Sequence, residues 1–402
     1  MTTTARLSPT DLFAQVMRYE NRPDPYPYYA LMRERPVVRM DNGTWLVSGY
    51  HEIAQLLHDP RISADRLNPQ APKPPQRSLL VQDPPRHDRL RRLVTQEFVP
   101  RITGMRDHIA ELVDQLLDAH TSSGPGQLDV VADLAYPLPV TVICELLGVP
   151  REDEPVFGSL SRRLTLALDP VDSPTEEQIR DAQQARDQLL EYLEALIQRR
   201  RAEPGDDLLS ALMSSGDDEG PMGPVDLRVT LVLLLIAGHE TTVNLIANGT
   251  LALLRAPDVL ARLRTDPGLA TPLVEEVLRY DPPVQMSGRS ALADIDIAGT
   301  TIPKGSRIRI MLAAGNRDHR RFPDPDRFVP DRRDNTHLGF GGGIHYCVGA
   351  TLARAEAQLA LTALARRLEA PRLVADPPPY RENATLRGPE HLPVAFDRLT
   401  NG

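Results

Sequence analysis

The sequence predicts a mainly α protein, one large helical domain carrying small peripheral β-sheets. Three observations predict it. From about residue 50 onward, apolar residues recur at helical spacing over long stretches. Strand signals are short and confined to the early chain and to the region around residues 294–310. Hydrophobic residues make up 41% of the chain and aromatic ones only 4%, so aliphatic side chains and alanine must supply most of a substantial core.

Taken in order, Pro27 to Arg35 reads as a short helix, with Pro27 suited to its first position and Pro36 ending it. Two apolar runs follow, Val37 to Met40 and Thr44 to Val47. They are joined by Asp41-Asn42-Gly43, and Asn-Gly tolerates the positive φ of a tight hairpin turn. Helical patterns then cover His51 to His58, His87 to Phe98, Arg101 to Ala119 and Thr175 to Arg201. The last of these has Glu176 and Glu177 in its first turn and Arg199, Arg200 and Arg201 in its last, as the helix dipole favours. The run Leu231 to Ala237 is apolar on all faces and predicts a buried helix. Strands return near Asp294 to Gly299 and Arg307 to Ile310, and a final helix starts at Ala350.

The 402 residues allow two domains on length, but no flexible linker stands in the middle. The richest proline stretch, Pro69 to Gln76, reads as a loop, so a single domain over residues 1–402 is expected. A net charge of -9 argues against general nucleic-acid binding. Two cysteines cannot form a disulfide framework, which fits a reducing compartment. The first residues lack the apolar core of a signal peptide, and the run Leu231 to Ala237 is too short to span a bilayer. A cytoplasmic protein with no membrane association is the expectation.

The two cysteines read differently. Cys144 lies in the apolar run Val140 to Leu147 and reads as simple packing. Cys347 closes a glycine-rich loop, Phe340 to Gly349, immediately before a helix. A sulfur there meets unsatisfied backbone N–H groups and the positive end of the macrodipole, which favours thiolate. Glycines let the backbone pass close to something large and flat. The buried helix carries its own anomaly: Gly238-His239-Glu240-Thr241-Thr242 interrupts an apolar run. Burying an acid and hydroxyls costs several kcal/mol unless they are paired or wetted. They serve either chemistry or a helix kink with threonine hydroxyls bonded back to i−4 carbonyls.

The pattern Phe-Gly-x-Gly-x-His-x-Cys-x-Gly resembles the haem-binding loop of the cytochrome P450 family at every fixed position. The resemblance implies the cytochrome P450 fold and haem b, held by Phe340, Gly341, His345, Cys347 and Gly349, with Cys347 as proximal iron ligand. Ala237-Gly238-x-Glu240-Thr241 is similar to the family's distal helix motif. It implies that Ala237 and Gly238 lie over the haem, Gly238 opening the groove for dioxygen, while Thr241 hydrogen-bonds oxygen and Glu240 relays protons. His87, Arg91 and Arg289 match family positions for the haem propionates. Glu276 and Arg279, one turn apart, match a structural ion-pair network completed by Arg332. Leu79, Leu80, Leu234, Val284, Met286 and Leu386, with residues 164–168, are implied substrate contacts, largely apolar.

The resemblance thus implies a monooxygenase of secondary metabolism. It would insert one atom of O2 into a lipophilic small molecule, as a monomer taking electrons from a ferredoxin-type donor and its NAD(P)H-dependent reductase. Arg89, Arg92 and Arg354 are candidates for a basic face toward that donor. A peroxide-driven peroxygenase and a non-enzymatic haem-binding protein are the other readings. Family peroxygenases replace the acid–alcohol pair that this chain retains, and a sensor would be expected to carry an output domain.

Overall fold

A computed structural model describes residues 7–65, 78–166, 169 and 175–401. The proline stretch Pro69 to Gln76 lies outside the described residues. In chain order the first helices are α1 (Pro9–Met17), α2 (Tyr26–Arg33), α3 (Tyr50–His58), α4 (Arg86–Thr103) and α5 (Arg106–Asp118). Next come α6 (Pro137–Leu147), α7 (Glu154–Leu166), α8 (Glu176–Ala202), α9 (Leu208–Ser214) and α10 (Pro224–Leu254). The last four are α11 (Pro257–Thr265), α12 (Ala270–Tyr280), α13 (Leu312–Gly315) and α14 (Ala350–Arg367). The strands are β1 (Val37–Arg39), β2 (Trp45–Val47), β3 (Ile62–Ser63), β4 (Gly126–Asp129), β5 (Gly216–Asp217), β6 (Gly220–Pro221) and β7 (Ser287–Ala291). They continue with β8 (Ile295–Ile297), β9 (Thr300–Ile302), β10 (Arg307–Ile310), β11 (Leu368–Glu369), β12 (Arg372–Leu373), β13 (Pro393–Phe396) and β14 (Arg398–Leu399).

The expected helices form with three instructive differences. Arg101 does not start a new helix: α4 runs through Pro100 and stops at Gly104. Proline in a helix interior leaves the i−4 carbonyl without its donor. Here Gln96 and Pro100 are both exposed, so that carbonyl is open to solvent and the helix survives. The turn after β1 is not a two-residue Asn-Gly turn. Gly43 N–H donates to the Met40 carbonyl at 2.9 Å and only Gly43 has positive φ, at 81°. The two-residue turn appears instead between β8 and β9, where Ala298 and Gly299 have φ of 50° and 72°. The N-terminus of α8 is set by Thr175, whose side chain accepts from the Gln178 N–H while Gln178 reaches back, a capping box.

The principal sheet has the order β1-β2-β10-β7-β3, with β10 parallel to β2 and the other pairs antiparallel. Its register sets Ile308 opposite both Trp45 and Arg289. This sheet and α3 enclose one apolar cluster, and α1 and α2 enclose another with Met286 and Met311. The largest cluster is helical, and α10 runs through it against α6, α7, α8, α12 and α14. Among the described residues α10 is the one helix long and apolar enough to cross a bilayer, and most of its apolar window is buried in this core.

The expectation that Leu231 to Ala237 is buried on every face fails on one side. Leu231, Leu234 and Leu235 are buried, whereas Val232, Leu233 and Ile236 are partly accessible and Ala237 is exposed. Exposed apolar groups midway along a helix that is packed on its other faces line a cavity.

Candidate active site

The cysteine loop is shaped by close approach to α3. Gly341 and Gly343 have φ of 72° and 62°. A Cβ on Gly343 would lie 2.0 Å from the Leu57 carbonyl oxygen, so no larger residue fits. Gly343→Ala is expected to cost on the order of 2–4 kcal/mol from left-handed strain plus that clash. A melting temperature equal to the parent's would contradict this. The loop closes on itself where the Cys347 N–H donates to the Phe340 carbonyl at 3.1 Å.

Cys347 is accessible while Cys144 is fully buried, as expected for a reactive and a packing cysteine. Burial pushes the Cys144 thiol up to about 12. The protein alone does not account for a Cys347 thiolate. Desolvation raises its pKa and outweighs the hydrogen bond from the Gly349 backbone and the charges of Arg91 and Arg354. The helix N-terminus contributes in the expected direction but does not suffice. A bound metal cation would supply the missing compensation.

Four cationic or imidazole side chains gather beside this loop. His87 is fully buried on α4, and its ring lies 4.3 Å from that of His345. Its Nδ1 meets Asp88 at 2.8 Å, leaving Nε2 buried and without a hydrogen-bond partner. Both ring nitrogens of His345 are likewise buried and unpartnered. Burial, then the nearby His87, Arg289 and Arg91, pushes the His345 pKa down to about 4. Surroundings that resist another positive charge, with three orphaned nitrogens, fit an anionic group. Among the described residues no cluster of three or more His, Cys, Asp or Glu could hold a metal ion, so any iron here would arrive in a prosthetic group. The donor set fits haem: a single accessible thiol, and imidazoles and guanidinia for carboxylates. His87, Arg91, Arg289 and His345 would hold those carboxylates.

On α10, Thr241 is partly accessible and lies one turn from exposed Ala237, on the cavity side. Its hydroxyl donates to the Ala237 carbonyl at 3.1 Å, and that of Thr242 reaches the Gly238 carbonyl at 3.4 Å. Both threonines therefore show the back-bonded geometry of the structural alternative, with α10 unbroken. Thr241, having spent its proton on the backbone, presents acceptor lone pairs to the cavity. Gly238 also has a packing role. A Cβ there would meet Ile143 at 3.0 Å, so the missing side chain lets α6 pack against α10. Glu240 is buried and does not reach solvent directly. The Arg381 guanidinium donates to it at 2.7 Å, and His239 Nε2 lies 3.6 Å from its other oxygen.

The scaffold behind the loop is the ion-pair network as expected. Glu276 and Arg279 are both fully buried and joined by two bonds of 2.7 Å. Arg332 completes it at 3.1 Å. A neighbouring pair was not foreseen: Arg354 of α14 grips Glu275 of α12 at 2.6 and 2.9 Å, and His337 adds a third contact at 3.1 Å. Burial opposes ionisation of Glu275, but the hydrogen bonds from Arg354 and His337 prevail and hold its pKa at about 2. A depressed folded-state pKa stabilises the protein above the unfolded value and loses that contribution as pH falls through the folded one. Glu275→Gln should therefore be less stable than the parent at neutral pH, with the difference shrinking between pH 4.5 and 2. Parallel denaturation curves across that range would contradict it.

The implied substrate positions divide. Leu80 is 43% exposed, while Leu79, Leu234 and Leu386 are buried and Val284 is partly buried, bridged to Leu386. Met286 is corrected: at 1% exposure it is packed among Leu12, Val16 and Tyr29, in the core under α1 and α2. Residues 167 and 168 lie outside the described residues. The basic-face expectation also fails in detail. Arg89 and Arg92 both pair with Asp217 of β5, at 3.0 and 2.9 Å, and Arg354 is engaged by Glu275. Each of these arginines is engaged in an ion pair within the chain.

Sequence reasoning missed Arg381 and Glu356. Glu356 is fully buried on α14, and desolvation raises its pKa well above the carboxylate range. Its signal was readable: Leu352, Ala353, Glu356, Ala357, Ala360 and Leu361 follow helical spacing, so an acid sits on the apolar face.

Comparisons with known proteins agree with this geometry. The family described as Cytochrome P450 matches residues 36–267 and 269–395. The chain is 42% identical over 392 residues to the cytochrome P450 monooxygenase PikC of Streptomyces venezuelae, covering 93% of this chain and 92% of that protein. It is 39% identical to the 6-deoxyerythronolide B hydroxylase of Saccharopolyspora erythraea, covering 93% and 96%. The ligand-free crystal structure of CYP164A2 from Mycobacterium smegmatis superposes with a TM-score of 0.88 at 44% identity, covering 95% of this chain and 99% of that one.

Proposed function

We propose, on the premise that this chain belongs to the cytochrome P450 family, that it oxidises a lipophilic small molecule with electrons from a separate ferredoxin and NAD(P)H-dependent reductase. The premise makes it a haem-thiolate oxidoreductase, for its relatives are monooxygenases and hydroxylases that use haem b with a cysteine ligand. The observation that carries the proposal is the acid–alcohol pair on α10, with Thr241 at the cavity and Glu240 behind it. Electron-driven oxygen activation consumes protons at the distal side, whereas peroxide arrives with its protons attached.

When bound, haem supplies the oxygen-activating chemistry, with one atom of O2 entering the product and the other leaving as water. Cys347 supplies the ligand sulfur, for Cys144 is sealed in the core. His87, His345, Arg91 and Arg289 bind and orient the carboxylates on the cofactor's edge. The accessible apolar side of α10 excludes bulk water and contacts an apolar substrate. Thr241 accepts a hydrogen bond at the cavity wall, and Glu240 returns protons toward it. The reading includes a cytoplasmic, single-domain monomer.

Turnover with NADH, a surrogate ferredoxin and its reductase tests the reading, with substrates first found by binding-difference spectra across lipophilic compounds. Thr241→Ala is expected to divert most reducing equivalents from product to hydrogen peroxide. Unchanged coupling removes Thr241 from proton delivery. Product from peroxide alone, with none from NADH and oxygen, overturns the reading in favour of a peroxygenase.

A further inference from the structure

Glu240 has a partner that the acid–alcohol motif does not contain. Its side chain is 4% exposed, and its Oε2 accepts from Arg381 Nη1 at 2.7 Å, with Arg381 itself 14% exposed. On the other side, His239 Nε2 lies 3.6 Å from Oε1. The opposite nitrogen of that ring, Nδ1, is engaged by the Leu235 carbonyl at 2.6 Å.

Arg381 is held in place by its backbone. Its N–H donates to the Gly388 carbonyl at 3.1 Å, and Tyr380 bridges Pro389 in the same turn. Gly388 is seated on α10, where a Cβ would lie 2.4 Å from Asn244 Oδ1. Asn244 is one helical turn beyond Glu240. The C-terminal turn is thus docked on α10 at the height that delivers the guanidinium to the acid.

We infer that Arg381 is a positioning residue for Glu240, holding it as a fixed carboxylate behind the accessible stretch of α10. A guanidinium does not release its proton, so Arg381 carries none to the cavity. It sets the charge and direction of the group that does. A buried carboxylate that loses this cation has less to offset its desolvation, which favours its protonated form. This inference rests on the reading that Glu240 serves proton delivery.

The test uses the haem-loaded protein and two readouts. Infrared difference spectra at neutral pH compare the parent with Arg381→Gln. One additional protonated carboxyl per molecule is expected in the variant. It should be absent from Arg381→Lys, which keeps the charge, and from the Arg381→Gln/Glu240→Gln double variant. Glu356, buried on α14 and unaltered in every variant, contributes equally to each and cancels from the differences. No new signal, or one that survives Glu240→Gln, overturns the inference. The lysine variant with its signal unchanged from the parent also guards against a folding artefact. The second readout is the solvent deuterium isotope effect on NADH consumption with a surrogate ferredoxin and reductase and no added substrate. Arg381→Gln and Glu240→Gln should raise it to the same extent, without adding in the double variant. If Glu240→Gln leaves it unmoved, the proton-delivery reading of Glu240 fails, whatever the infrared result. If Glu240→Gln raises it and Arg381→Gln does not, only the role of Arg381 fails.

Discussion

Cys347→Ala is expected to abolish the red-shifted Soret band of the ferrous–CO complex and to take turnover to background. That band reports a thiolate bound to haem iron, and among the two cysteines of the chain only Cys347 is accessible. The same change at Cys144 should keep the band and cost about 1–2 kcal/mol for the small cavity left in the core. The pair of variants separates loss of a ligand from loss of packing. A retained band in Cys347→Ala would exclude it as the ligand. The fold itself should tolerate the change, because Cys347 is accessible and the backbone partner of its sulfur, the Gly349 N–H, lies in the adjacent loop.

Glu276→Ala carries the largest expected loss of stability, about 3–5 kcal/mol, because it strands a buried guanidinium. Arg279 is fully buried and donates to Glu276 and to the carbonyls of Asn316, Pro325 and Arg327. Glu276 also accepts the Val329 N–H at 2.7 Å and the Asn335 amide at 3.2 Å. Removing it opens the contact between α12 and the chain that leads to the cysteine loop. The consequence reaches the site through Asn316, whose side chain donates to the Leu278 carbonyl and accepts the Leu338 N–H at 2.7 Å. Leu338 precedes the loop by two residues. Such a loss is a large fraction of a typical folding free energy, about 5–15 kcal/mol, so haem retention should weaken with stability. Denaturant titration is the measurement. A variant within about 1 kcal/mol of the parent would show the network to be dispensable.

What could be read along the chain shares one property: its parts are contiguous. The loop Phe340 to Gly349 and the stretch Ala237 to Thr242 each place their chemistry within a few residues, so spacing alone exposes them. The helix periods and the capping box at Thr175 are equally local. Glu276 and Arg279 are one turn apart and were legible as a pair, though only their full burial distinguishes them from a surface ion pair. The misreadings came from local rules without their surroundings. Arg101 looked like the start of a new helix because nothing in the sequence says that Gln96 is exposed. Arg89 and Arg92 looked like free charges because Asp217 is over a hundred residues away in sequence.

The residue types and spacings on the chain determined the mainly helical class, the cysteine of the glycine-rich loop and the acid–alcohol pair on α10. Those follow from backbone geometry and side-chain chemistry over a few residues. Folding decided the electrical state of these groups. Desolvation raises the Cys347 pKa against its helix, Arg354 and His337 hold Glu275 ionised, and Arg381 reaches Glu240 from 141 residues along the chain. The physical reason is that charge is set by burial and by whichever opposite charge lies within a few ångströms, and only the tertiary structure brings those partners together.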